Sequence, residues 1–265
     1  MPEAELRALL SGMGPVAVAV SGGVDSLTLS TLAHATLGPA ARMFHATSPA
    51  VPEEATARVR RTAAERGWTL EVIDAGEFGD PNYRANPVNR CFFCKINLYG
   101  AIRSRTDRLI LSGTNLDDLG EYRPGLDAAR GQGVRHPFVE AGVDKNGVRA
   151  LAATLGLGAI AELPASPCLS SRVETGIAIE PGTLAMIDRT ERLLRRALAP
   201  RTIRCRVRKS GVVIELDQDA LARIDAATEH DLRALVQDAI LGSGREYAVS
   251  FAPYRNGSAF LRSAP

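Results

Sequence analysis

The chain has 265 residues, 45% of them hydrophobic and 23% charged, with 32 basic residues against 30 acidic ones. That balance describes a globular protein large enough for two domains; it excludes a disordered chain and leaves any nucleic-acid role to local basic clusters. Four cysteines are too few for a disulfide framework, no apolar run approaches the roughly 18 residues of a membrane span, and the start "MPEAELRALLSGMG" is acidic and amphipathic, unlike a secretory leader. A cytoplasmic protein is expected, with each cysteine a free thiol, a metal ligand or a reactive group.

From Val16 to about Leu157, short apolar runs alternate with stretches of helical period. "VAVAV" precedes Leu27 to Leu37, "RMFHATS" precedes Glu53 to Arg66, "TLEVIDA" precedes Cys91 to Ile102, and "LILSGT" precedes Lys145 to Leu155. That rhythm predicts parallel strands with crossover helices, hence an α/β, doubly wound sheet covered on both faces, with its site at the carboxyl ends of the strands. The stretch "ELPASPCLSSRVETGIAIEPG", rich in Pro, Ser and Gly, then breaks the pattern. Beyond it come a helix (Leu184 to Ala197), two strands (Ile203 to Val207 and Val212 to Leu216), a helix (Ala220 to Ala226), a helical stretch (His230 to Leu241) and a last strand (Tyr247 to Phe251). These form a smaller C-terminal α+β unit. The expected division is a first domain over 1–163, a linker over 164–181 and a second domain over 182–265. There is no internal repeat and no low-complexity tract.

Where the first strand stops, Ser21, Gly22, Gly23, Val24, Asp25 and Ser26 fill one turn. Glycines let the backbone approach a ligand closely, and the serines and the aspartate supply hydroxyls, an N-cap and a carboxylate at a helix N-terminus. Such a turn attracts phosphate, and Asp25 can hold a magnesium ion that bridges phosphate oxygens. The plainer alternative is a well-capped strand-to-helix turn. Taken together, "SGGVDS" resembles the loop of the PP-loop ATP pyrophosphatases, which adenylate an oxygen and release pyrophosphate; it lacks the spaced glycine and Gly-Lys ending of a Walker loop.

Further segments narrow the resemblance. "NRCFFCK", "LSGTNLDDLGEYRPGLDAARGQGVRHPFVEAGVDK" and "ASPCLSSRVETG" are together similar to the LarE-type ATP-dependent sacrificial sulfur transferases, over nearly the whole chain. The resemblance implies an enzyme that uses ATP and Mg2+ to activate the carboxylates of a pyridinium-3,5-dicarboxylate mononucleotide and inserts sulfur, toward a nickel-pincer nucleotide cofactor. It also implies a homo-oligomer that acts on small molecules, with no nucleic-acid or membrane partner. Cys168 occupies the sulfur-donor position, and Arg172 beside it favours the thiolate. Gly113, Thr114 and Asn115 sit where base and ribose would lie. Asp117, Asp118, Tyr122 and Arg123 line the same place or form a capped turn. Arg206 and Arg208 match arginines that hold the substrate phosphate, and strand alternation puts both on one face. Glu191 and Glu215 fall where the family has acidic residues linked to metal.

The other cysteines carry less. Cys91 and Cys94 form a lone CxxC, and the four histidines have no ligand spacing, so a zinc site is not expected and packing or loop support is. Some relatives gather three cysteines around a [4Fe-4S] cluster; with only Cys168 and Cys205 in the C-terminal half, that cluster would be one ligand short. Two rival functions remain open on the sequence. The run "RLLRRALAPRTIRCRVRK" suits a tRNA thiolation enzyme of the same superfamily through phosphate contacts, and a nucleotide-binding sensor without chemistry would keep the same loop.

Overall fold

A computed structural model describes residues 2–120, 123–241 and 247–261. In chain order the elements are α1 (Pro2–Met13), β1 (Val16–Ala19), α2 (Val24–Leu37), β2 (Ala41–Ala46), α3 (Glu53–Arg66), β3 (Thr69–Ile73), α4 (Pro81–Arg84), α5 (Arg90–Arg103), β4 (Leu109–Ser112), α6 (Pro124–Gly131), α7 (Pro137–Glu140) and α8 (Lys145–Thr154). They are followed by α9 (Pro181–Leu198), β5 (Ile203–Arg208), β6 (Gly211–Leu216), α10 (Gln218–Ala222), α11 (Ala226–Leu241) and β7 (Val249–Pro253). Packing divides them into two compact units, Met1–Asp80 with Asn89–Ser166, and Pro81–Val88 with Pro167–Pro265.

In the first unit four strands pair in the order β3-β2-β1-β4, all parallel. Strands β1 and β4 are almost wholly apolar and mostly buried, as a parallel sheet covered on both faces requires, whereas β2 carries Arg42 and His45 and the edge strand β3 carries Thr69 and Glu71 and is partly exposed. Val16 and Val18 of β1, with Met43 and Leu111, join Leu6, Leu10, Leu27 and Leu151 of α1, α2 and α8 in one cluster. Ala17, Phe44 and Ile110 join Tyr99, Ile102 and Ala129 of α5 and α6 in another. Successive residues thus feed opposite cores, as the period of 2 requires, and the doubly wound sheet forms as expected. Trp68 is buried in the first cluster, in a packing role. The chain adds β2 and β3 on one side of β1 and then returns to place β4 on the other, so the order reverses between β1 and β4.

The second unit is a mixed sheet in the order β5-β6-β7, with β5 antiparallel and β7 parallel to β6. Three elements are bounded differently from the sequence expectation. The helix expected at Ala220 to Ala226 is α10, which starts earlier because the Asp217 side chain accepts from the Ala220 amide at 3.0 Å. A second aspartate, Asp225, accepts from the Thr228 amide at 2.8 Å, so α11 starts at Ala226 rather than His230. The last strand is shifted two residues on from Tyr247, to Val249–Pro253.

The short stretch Pro81–Val88 belongs to this second unit. Asn86 is fully buried at φ 54°, a left-handed conformation that asparagine tolerates better than most residues. Its Nδ2 donates to the carbonyls of Glu174 and Ile177 at 2.9 Å each, and its own carbonyl accepts from the Gly176 amide at 2.9 Å. Replacing Asn86 with alanine leaves buried carbonyls without donors and is expected to lower unfolding stability by roughly 3 kcal/mol in urea titrations. Among the described residues no helix is long and apolar enough to cross a membrane.

Candidate active site

The reversal between β1 and β4 opens a crevice at their carboxyl ends, where open α/β sheets bind ligands. Residues 20–23 leave β1 and residues 113–115 leave β4 at that place. Gly22 has φ 86°, and a Cβ there would lie 2.8 Å from the Ala55 carbonyl oxygen, so only glycine fits. Gly23 has φ −82°, and a Cβ there would meet only Ser21 Oγ, at an ordinary 3.7 Å, so the need for glycine is smaller. Gly113 is required for a different reason: its Cβ would stand 2.9 Å from the Ser26 amide nitrogen, so the β4 loop lies directly on the start of α2.

The N-cap of α2 corrects the sequence expectation. Gly23 occupies that position, with no side-chain capping bond. The serines cross-link the loop instead: Ser26 Oγ donates to the Gly23 carbonyl and accepts from the Ser21 amide, each at 3.1 Å, and lies 3.1 Å from Ser21 Oγ. With no side chain seated on it, the helix start keeps its positive dipole end for an anion.

Asp25 faces the β4 loop. Asn115 Nδ2 donates to its Oδ1 at 3.0 Å, and the Lys145 ammonium, at the start of α8, bonds both carboxylate oxygens at 2.7 and 2.6 Å. Lys145 carries no sequence signal beyond its place in the "GVDK" segment, and its role emerges only from the fold. Asp144 caps α8 by accepting from the Gly147 amide at 2.7 Å, and Asp117 accepts from the Lys145 amide at 3.2 Å. Asp118 accepts from the Asn115 amide at 3.1 Å and pairs with Arg123, which makes this stretch a capped turn; Tyr122 lies outside the described residues. Thr114 Oγ1 is 3.1 Å from Ser112 Oγ, which in turn meets His136 Nδ1 at 2.9 Å. Burial holds the His136 imidazole below its ordinary pKa, with Glu140 opposing.

Two further side chains back the loop. His45 at the end of β2 is buried; its Nδ1 bonds the Val20 carbonyl at 2.8 Å, and its Nε2 meets Thr56 Oγ1 at 2.9 Å. Burial lowers its pKa, the Val20 bond opposing, so the ring is neutral and Nδ1 carries the proton. Arg58 of α3 donates to the Gly22 carbonyl at 2.6 Å. Neither residue is marked by local spacing.

In the second unit Cys168 precedes a tight helical turn, Leu169–Arg172. Arg172 is almost wholly buried and forms a two-pronged pair with Glu191 of α9, Nε to Oε1 at 2.9 Å and Nη2 to Oε2 at 3.1 Å. Its remaining nitrogen donates to the carbonyls of Pro167 and Cys168 at 2.7 and 3.2 Å. Burial works against the guanidinium charge, but the paired Glu191 carboxylate raises Arg172 above its ordinary pKa. Arg206 donates to the Ser171 carbonyl at 3.0 Å, and Tyr83 OH meets Ser170 Oγ at 2.7 Å. The half-buried Cys168 therefore sits on a turn held from α4, α9 and β5.

Arg206 and Arg208 share a face of β5 and both bond Glu215 of β6 at 2.9 Å. Arg206 is buried; Arg208 is partly open and also donates to the Ser258 carbonyl at 3.2 Å. Arg204 precedes them, its pKa pushed down to about 10 by burial and by Arg172. Glu191 and Glu215 are thus filled by guanidinium groups, and Glu191 also accepts from the Cys205 amide at 3.0 Å. Among the described residues no group of three or more His, Cys, Asp or Glu stands ready to hold a metal. The donor sets at Glu191 and Glu215 do not fit a cation. Cys205 is fully buried, and burial pushes its thiol up from the ordinary range. Replacing Glu191 with leucine strands the buried Arg172 charge. It is expected to lower stability by about 3–5 kcal/mol in urea unfolding, with part recovered when Arg172 is also made leucine.

No family model matches the chain. It is 35% identical over 241 residues to the uncharacterized protein slr1717 of Synechocystis sp., covering 89% of this chain and 85% of that one. It is 29% identical over 221 residues to the pyridinium-3,5-bisthiocarboxylic acid mononucleotide synthase of Lactiplantibacillus plantarum, covering 82% and 79%. An uncharacterized protein of Methanocaldococcus jannaschii is 28% identical over 208 residues, covering 77% and 78%. A parallel sheet carrying "SGGVDS" at its first crossing defines an α/β protein of the PP-loop class. Within that class the chain belongs to the LarE-type sulfur transferase family.

Proposed function

We propose that the protein is an ATP-dependent sulfur transferase that converts the carboxylates of a pyridinium dicarboxylate mononucleotide to thiocarboxylates, in the making of a nickel-pincer nucleotide cofactor. A carboxylate resists nucleophiles because its charge is delocalised and oxide is a poor leaving group. Joining it to AMP, with release of pyrophosphate, removes the charge and supplies the leaving group. In this reading the loop Ser21, Gly22, Gly23 and Ser26 receives the triphosphate, and Gly113, Thr114 and Asn115 receive the nucleoside. Asp25 is a suitable single carboxylate for the magnesium ion that accompanies ATP, since Mg2+ takes one or two carboxylates beside phosphate oxygens. Lys145 then exchanges its bond to Asp25 for the phosphates.

The Cys168 thiolate attacks the acyl carbon and AMP departs, leaving a thioester. Loss of the Cys168 Cα proton forms the Cα–Cβ double bond as the Cβ–S bond breaks. The electron pair leaves with sulfur as the thiocarboxylate, and dehydroalanine remains in the chain. Arg206 and Arg208 are the proposed holders of the substrate phosphate, with Glu215 fixing their planes, and a homo-oligomer is the proposed assembly. The observation that carries the reading is the anchored turn of Cys168, where an otherwise incidental thiol is held in place by three elements of its unit.

Intact-protein mass spectrometry after one round with ATP, magnesium and the pyridinium substrate tests it. The expected result is loss of one hydrogen sulfide from the mass, mapped to position 168; product with an unchanged mass rejects the sacrifice. A tRNA thiolation enzyme would instead bind tRNA in a salt-sensitive way, through the exposed Arg195, Arg196 and Arg201 of the basic run. A sensor without chemistry would show no substrate-driven exchange of pyrophosphate into ATP.

A further inference from the structure

We infer that Arg58 is a positioning residue that presets the Gly22–Gly23 peptide of the loop, aiming the Gly23 amide at the triphosphate. The inference rests on the assignment of that loop to ATP. A trans peptide is planar and carries its C=O and N–H on opposite sides. Arg58 Nη1 holds the Gly22 oxygen at 2.6 Å on the α3 side, so the N–H of the same peptide points away from α3.

This peptide has a particular need of such a hold. It is flanked by two glycines, and with no Cβ on either side its rotation meets the least steric resistance of any peptide in the loop. The Val20–Ser21 peptide, two positions back, shows the same arrangement completed. His45 holds the Val20 oxygen at 2.8 Å, and the Ser21 amide on the opposite side bonds Ser26 Oγ at 3.1 Å. Two alternate carbonyls, those of Val20 and Gly22, are therefore held by side chains of β2 and α3. α3 itself is pressed against the loop, since the Ala55 carbonyl leaves no room for a Cβ on Gly22.

The test measures binding of MgATP, inorganic pyrophosphate and adenosine by calorimetry to the wild type, Arg58→Gln and Arg58→Lys. Arg58→Gln is expected to weaken ATP and pyrophosphate about tenfold, the worth of a hydrogen bond to a charged group, and to leave adenosine unchanged. Arg58→Lys should recover most of the loss. In wild-type protein labelled with 15N-glycine, pyrophosphate should move the Gly23 amide resonance strongly, a readout independent of whether any variant folds. Equal weakening of adenosine and ATP, no weakening at all, or a Gly23 resonance that does not respond overturns the inference. A wild type that binds neither ATP nor pyrophosphate overturns the ATP assignment itself, and this inference with it.

Discussion

Cys168→Ala protein is expected to make no thiocarboxylate at all, while exchanging labelled pyrophosphate into ATP at the wild-type rate when the pyridinium dicarboxylate is present. The separation follows from where the residue sits. What the turn uses of Cys168 is its carbonyl, which accepts from the Ser171 amide at 3.0 Å and from Arg172, and alanine keeps that carbonyl. Only the sulfur is lost. Arg172 retains Glu191, so the turn keeps its anchor and stability should hardly change. A serine at the same position would leave an oxygen nucleophile and still deliver no sulfur. Thiocarboxylate formed by the alanine variant would sink the assignment of Cys168 as donor, and loss of exchange together with product would show that the turn serves adenylation as well.

The second large effect is expected at Asp25. Asp25→Asn preserves shape but removes the charge that the Lys145 ammonium and an incoming magnesium ion would share. Pyrophosphate exchange should fall by at least ~10²-fold, the scale of losing one electrostatic element at a developing charge. The Asn115 contact can be remade with the new amide turned to present its oxygen, and the site is open to solvent on one side, so the melting temperature should move little. Wild-type exchange in this variant would exclude metal-assisted phosphate chemistry at Asp25.

The strand and helix rhythm, and with it the parallel sheet, could be read from the sequence because β1 and β4 are almost wholly apolar and each short apolar run is followed by a stretch of helical period. The loop and the turn of Cys168 could be singled out as candidates because their residues are contiguous. His45, Arg58 and Lys145 could not, since each is an ordinary polar residue on its own element and gains meaning only when β2, α3 and α8 meet the loop. The two helices expected at Ala220 to Ala226 and His230 to Leu241 both start earlier in the structure, because Asp217 and Asp225 cap them and periodicity does not register a cap. Glu191 and Glu215 were assigned to metal from the family resemblance; the guanidinium partners that fill them come from residues 19 and 9 positions away.

The excursion of Pro81–Val88 sets a limit on modularity. The polypeptide passes from one unit to the other three times, after Asp80, after Val88 and after Ser166. A fragment beginning at Pro167 would lack the Asn86 amide that ties the carbonyls of Glu174 and Ile177, so it is an incomplete folding unit. Chimeras that exchange the cysteine-bearing half between relatives must therefore carry two separate stretches of chain, and the gene cannot be recombined there at a single crossover.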